Sequence, residues 1–121
     1  MKKIKESDLQ RAILDYLRLV IKAEAVKFPS VGIYKKATGT YITQSKKGVS
    51  DILACLPPNG RFMAVECKVK GRQATPEQLE FLAEVKKRGG IAILAYSFEE
   101  FEKEFEKYKS NSKWKARNTK N

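Results

Sequence analysis

Asp51, Glu66 and Lys68 are the residues whose types and spacing could do chemistry together. They flank the turn signal Pro57-Pro58-Asn59-Gly60, which separates two apolar runs, Ile52 to Leu56 and Phe62 to Val69. An antiparallel hairpin closed symmetrically about that turn sets Leu56 opposite Arg61 and Ala54 opposite Met63. The same register carries Asp51 to a position opposite Glu66. Side chains alternate along a strand, so Glu66 and Lys68 share one face with Asp51. Directly opposed positions lie about 5 Å apart at Cβ, where like charges repel. Two carboxylates so placed ask for a cation, and oxygen donors of this kind suit Mg²⁺ or Mn²⁺. Such a cation would activate water and polarise a phosphate. Lys68 would orient or deprotonate that water and offset the negative charge growing on the phosphorane. The chemistry implied is phosphodiester hydrolysis.

A bland alternative stands beside it. An Asp followed by Glu-x-Lys often arises by chance, and charges at strand ends are usually solvated. Context argues for a site. Glu66 and Lys68 lie within a run otherwise made of Phe, Met, Ala, Val and Cys, where an unpaired charge is costly.

Length and charge narrow the partners. The 121 residues suit one domain, with 25 Lys and Arg against 14 Asp and Glu for a formal +11. That excess favours a polyanion, either nucleic acid or an acidic membrane surface. Neither a long apolar span nor a secretion-signal pattern is present, so no membrane partner and a cytoplasmic location are expected. The sequence has no His, which excludes His-based acid–base chemistry and His-ligated zinc. Of the two cysteines, Cys55 shares the Asp51 face and Cys67 the opposite one. Free thiols packed as small hydrophobes, in a reducing compartment, are expected.

The elements that must position these residues follow from periodicity. Glu6 to Ala23 reads as an amphipathic helix, with Leu9, Ile13, Tyr16, Leu17, Val20 and Ile21 on one stripe and Ser7 with Gln10 as a candidate capping box. Glu6 extends that stripe. It either complements the helix dipole or reaches a site on the sheet. Val26 to Ser30 and Gly39 to Thr43 read as short strands around a turn-rich middle. Gln44 to Gly48 is a basic loop feeding into Asp51; its Lys46 and Lys47 are either solvated charge or phosphate contacts. Both faces of the hairpin are apolar, which implies helices above and below the sheet. Thr75-Pro76-Glu77-Gln78 starts a helix in which Gln78 completes a capping box and Leu79, Leu82, Ala83 and Val85 point inward, ending at Gly89-Gly90. Ile91 to Tyr96 then reads as a buried strand reached by a crossover. Ser97 caps a last helix to about Tyr108. Ser110 to Asn121 carries Lys113, Lys115, Arg117 and Lys120 with no acid, and reads as a mobile basic tail in which Trp114 could stack on a base.

The order helix, strands, Asp-bearing hairpin, Glu-x-Lys, helix, strand resembles the PD-(D/E)xK nuclease superfamily. Within it, GVSD, then VECK, then the TPEQ helix start resemble the VRR-Nuc family, small nuclease domains found alone in bacteriophages and fused to a eukaryotic repair nuclease. The resemblance runs from Glu6 to about Tyr96. It implies an α/β, restriction-endonuclease-like core over residues 1–109, a central mixed sheet flanked by helices on both faces. It implies Asp51 and Glu66 as metal ligands, joined by the Cys67 main-chain carbonyl, with Glu6 a further candidate. Lys68 would be the catalytic lysine, Glu6 the first-helix acid and Gln78 a site residue rather than only a cap. One departure is Ser50 where the superfamily name has Pro. The activity implied is Mg²⁺- or Mn²⁺-dependent endonuclease cleavage of DNA, with preference for branches such as four-way (Holliday) junctions, by a homodimer acting in the host cytoplasm if phage-encoded. Lys46, Lys47, Lys70 and Arg72 would contact the DNA backbone. The rival expectations are a non-catalytic nucleic-acid-binding module and an RNA nuclease.

Overall fold

The computed structural model describes residues 4–28, 33–35, 39–42 and 46–109. In chain order they form α1 (Glu6–Leu19), β1 (Glu24–Lys27), β2 (Ile33–Lys35), β3 (Thr40–Ile42), β4 (Ile52–Leu56), β5 (Arg61–Cys67), α2 (Pro76–Lys87), β6 (Ile91–Ala95) and α3 (Phe98–Lys109). The basic tail from Ser110, with Trp114, lies outside the described residues, as do Ser30 and Thr43 at the ends of the expected strands.

A four-stranded sheet runs in the order β1-β4-β5-β6, and β2 pairs with β3 in a separate ribbon. Strand β4 pairs antiparallel with both β1 and β5, whereas β5 and β6 run parallel. The parallel pair requires a crossover, and α2 supplies it. The hairpin closes in the symmetric register, with Leu56 opposite Arg61 and Ile52 opposite Val65. Gly60 at φ +75° lets the turn reverse.

The two sheet faces differ. Ile52, Ala54 and Leu56 of β4, Met63, Val65 and Cys67 of β5, and Ile91, Ile93 and Ala95 of β6 pack against Leu9, Ile13 and Leu17 of α1 and Phe101 and Phe105 of α3. Tyr16 joins the helices by edge-to-face contacts with Phe98 at 5.4 Å and Phe101 at 6.1 Å. The other face carries α2 over β5 and β6, where Leu82 is buried and Phe81 and Val85 half-buried. Helices thus flank a mixed sheet on both sides, as expected.

Several local expectations are corrected. Helix α1 ends at Leu19, because Lys22 adopts φ 64° and the Ala23 N–H turns back to Leu17 O at 2.8 Å. Val20 is therefore 63% exposed instead of continuing the stripe. Lys5 occupies the N-cap without a side-chain bond, so Ser7 and Gln10 form no capping box, and Gln10 is buried. Strand β2 occupies part of the turn-rich middle. In α2, Leu79 and Ala83 point outward, since the covered stripe follows Gln78, Phe81, Leu82 and Val85. Cys55, expected to pack as a small hydrophobe, is exposed, because α2 lies over β5 and β6 and not over β4.

Candidate active site

Asp51 sits at the mouth of β4, fixed from both sides. Its main-chain O accepts the Phe28 N–H at 2.7 Å, extending the β1 ladder. Its Oδ2 accepts the Cys67 N–H at 2.8 Å. The side chain therefore reaches across the hairpin to the end of β5. Glu66, opposite Asp51 in the continued register, is 1% exposed. Strand β5 ends at Cys67, one residue before Lys68 and short of the Val69 expected, yet the Lys68 N–H still bonds Ala95 O at 3.0 Å and keeps Lys68 on the sheet. Lys68 Nζ lies 3.6 Å from Glu66 Oε2.

The pair of carboxyls is strained electrostatically. Burial pushes Glu66 up to about 8, the Asp51 charge and a hydrogen bond with its carboxyl add to this, Lys68 opposes it, and Glu6 adds a smaller push. Glu66 Oε1 is buried with no hydrogen-bond partner among the described residues. A buried oxygen without a donor, beside a second carboxylate, suits a proton or a cation. Hard oxygen donors fit Mg²⁺ or Mn²⁺. Among the described residues no three His, Cys, Asp or Glu side chains cluster closely enough to hold a metal by themselves. Asp51 and Glu66 would therefore need main-chain oxygen or water to complete a shell, and the Cys67 carbonyl is the main-chain candidate that the resemblance implies. The Cys67 thiol is raised by burial first and then by Asp51 and Glu66, which keeps it protonated and unsuited as a nucleophile.

The remaining candidates divide by position. Glu6, half-buried in the first turn of α1, lines two adjoining clefts with Lys68 and Arg72, and Lys70 lines one of them. These four stand together at the end of β5. Gln78 is half-buried, and its Oε1 accepts the Thr75 N–H at 2.8 Å while its own N–H donates to Thr75 Oγ1 at 3.1 Å. The capping box is thus formed. What brings Gln78 to the Asp51 loop is backbone: Gly48, at φ +84°, presses onto the Glu77–Gln78 peptide, where any Cβ would collide with Glu77 C and O. Lys46 and Lys47 are exposed, and Lys46 lines a separate groove with Phe62, Phe81 and Val85. Two features escaped sequence reasoning. Gly48 carried a signal in the loop-closing Gly before Asp51. Ser50 is fully buried, with an Oγ lacking any partner among the described residues, and nothing in its type announced that.

A model of the family described as the VRR-NUC domain matches residues 30–99. That span contains Asp51, Glu66, Lys68 and Gln78 but not Glu6. A solved structure described as a VRR_NUC domain protein superposes with a TM-score of 0.56 at 20% identity, over 89% of this chain and 90% of that one. At such identity the likeness concerns the fold. No curated protein matches the chain.

Proposed function

From the premise that this chain belongs to the VRR-NUC domain family, a family of nuclease domains, we propose that it is a Mg²⁺- or Mn²⁺-dependent endodeoxyribonuclease selective for branched DNA. The observation that carries this reading is the Asp51–Glu66 pair, buried beside Lys68, with Glu66 Oε1 lacking a hydrogen-bond partner among the described residues. Asp51 and Glu66, with the Cys67 carbonyl, would hold the cation, and Glu6 would act from the first turn of α1, at the end of β5. The bound cation would supply the positive charge that favours ionisation of water and polarises the scissile phosphate. The Cys67 N–H holds one Asp51 oxygen, Oδ2, at 2.8 Å, which supports the reading by fixing the side chain at the end of β5. Lys68 would orient the attacking water or accept its proton, and its charge would offset that growing on the phosphorane. Lys70 and Arg72 would bind flanking phosphates, and Lys46, in its separate groove, and Lys47 would meet the backbone elsewhere, giving affinity without sequence reading. Two copies about a two-fold axis would present one site to each of two opposed strands of a junction.

Incubation of the purified protein with labelled duplex, flap, four-way junction and RNA, in Mn²⁺, Ca²⁺ or chelator, tests the reading. Cleavage of branched DNA in Mn²⁺, lost in Asp51→Ala and Lys68→Ala, is expected. Binding without metal-dependent cleavage would make it a non-catalytic module, and cleavage of RNA alone would change the substrate class. Sedimentation at micromolar concentration decides the homodimer.

A further inference from the structure

Lys68 stands between two clefts that share Glu6, Val69 and Arg72 as walls. One, of about 500 Å³, runs past Gln73 to Thr75 at the start of α2. The other, of about 830 Å³, runs over Leu9 and Val69 to Tyr96, with Lys5 and Lys70 among its lining residues. The larger cleft differs in kind. Leu9 is buried, and Val69 and Tyr96 are half-buried, so its interior is apolar. Lys5, Lys70 and Arg72 are exposed around it, against the single acid Glu6. A surface that only follows a phosphate backbone needs cations but no apolar interior. The volume falls within the roughly 300 to 1,000 Å³ of sites that enclose a small molecule. An aromatic ring set beside cations is the combination with which single-stranded nucleic acid is held.

We propose that this cleft receives one unpaired DNA nucleotide next to the phosphate at Lys68, its base against the Tyr96 ring and its phosphates on Lys70 and Arg72. The proposal rests on the nuclease reading above and adds what the site selects. A base inside a duplex is stacked on both faces and paired, and must be extruded before it can enter. A base already free at a branch, gap or end enters without that step. Preference for branched DNA then arises within one subunit, whatever the number of copies.

The test is a coupling measurement. Single-stranded and flap DNAs carrying one abasic position, scanned along the strand, are titrated in Ca²⁺ against wild type and Tyr96→Ala, with circular dichroism confirming the fold. Removing one particular base should weaken wild-type binding about 5- to 150-fold, the range expected for loss of one base–aromatic stack. Tyr96→Ala should weaken intact DNA by a similar factor and bind the abasic DNA no worse than the intact one, while Tyr96→Phe keeps the wild-type pattern. Lys70→Ala should weaken intact and abasic DNA alike. If Tyr96→Ala does not fold, Tyr96→Leu, apolar but ringless, serves in its place. Losses that simply add, or a scan in which no base matters, overturn the proposal. Cleavage in Mn²⁺ without coupling leaves the nuclease reading standing and removes the cleft; coupling without any cleavage does the reverse.

Discussion

Replacing Glu66 by Gln should make the metal-free protein more stable at neutral pH while removing its response to divalent cations. The free carboxyl titrates at an ordinary 4.5, whereas in the folded protein it is pushed up to about 8. At pH 7 the unfolded chain carries Glu66 ionised and the folded chain holds it mostly protonated, so folding takes up a proton. The folded state binds more protons than the unfolded one, and stability must therefore fall as pH rises from about 4.5 to about 8, then level off. At about 1.4 kcal/mol per pH unit, the span from 4.5 to pH 7 costs about 3 kcal/mol. That figure already includes the attraction of Lys68. Gln has nearly the shape of the protonated acid, cannot ionise, and its amide can donate to the Asp51 carboxylate. Urea denaturation in chelator should show Glu66→Gln and wild type nearly equal at pH 5, and the variant ahead by about 3 kcal/mol at pH 7. Mn²⁺ should then raise the wild-type midpoint and leave the variant unmoved. A stability difference that stays flat between pH 5 and 8, or a variant less stable at pH 8, would refute the account of Glu66 as a strained, cation-seeking carboxylate.

Other perturbations follow from the same geometry. Ser50→Ala removes a buried hydroxyl that has no partner among the described residues and should stabilise the protein by about 1 kcal/mol in thermal melts; a loss of stability would mean the hydroxyl is satisfied. Gly48→Ala forces a side chain onto the Glu77–Gln78 peptide from a left-handed backbone and should cost about 2 to 5 kcal/mol, with cleavage falling further than stability alone explains; an unchanged melting temperature contradicts the packing. Glu6→Gln should lower cleavage less than Asp51→Ala does, since Glu6 perturbs Glu66 only weakly; unchanged activity and Mn²⁺ affinity would return Glu6 to a helix-dipole role.

The carboxylate pair was legible because a hairpin leaves little freedom. Once the Pro57 to Gly60 turn is fixed, every opposed pair back to Asp51 and Glu66 follows by counting, and the observed register agrees from Leu56 opposite Arg61 to Ile52 opposite Val65. Helix α2 was legible for a similar reason: Thr75, Pro76 and Gln78 are all local instructions, and the capping box forms. What sequence could not give depends on contacts distant along the chain. The end of α1 is set by Lys22 in a left-handed conformation that a lysine does not announce. The inward stripe of α2 is not legible in the sequence, because Leu79 is as apolar as Leu82 and only the position of β5 and β6 beneath the helix separates them. The Asp51 contact with the Cys67 N–H, and the seating of Gly48 on α2, likewise exist only after the strands and helix have met.

The unequal fates of the two cysteines turn the native chain into a reagent. Cys55 is exposed on the outer face of β4, while Cys67 is buried with its thiol held protonated. A maleimide dye should therefore attach once per folded molecule, with no engineered substitution. Its anchor lies four residues along the strand from Asp51, about 13 Å at strand rise. A dye there is near enough to report a nucleic acid settling over the carboxylates and far enough not to displace them. A second equivalent of label taken up during denaturation would time the opening of the core around Cys67. Energy transfer between mixed donor- and acceptor-labelled chains would reveal whether two copies associate.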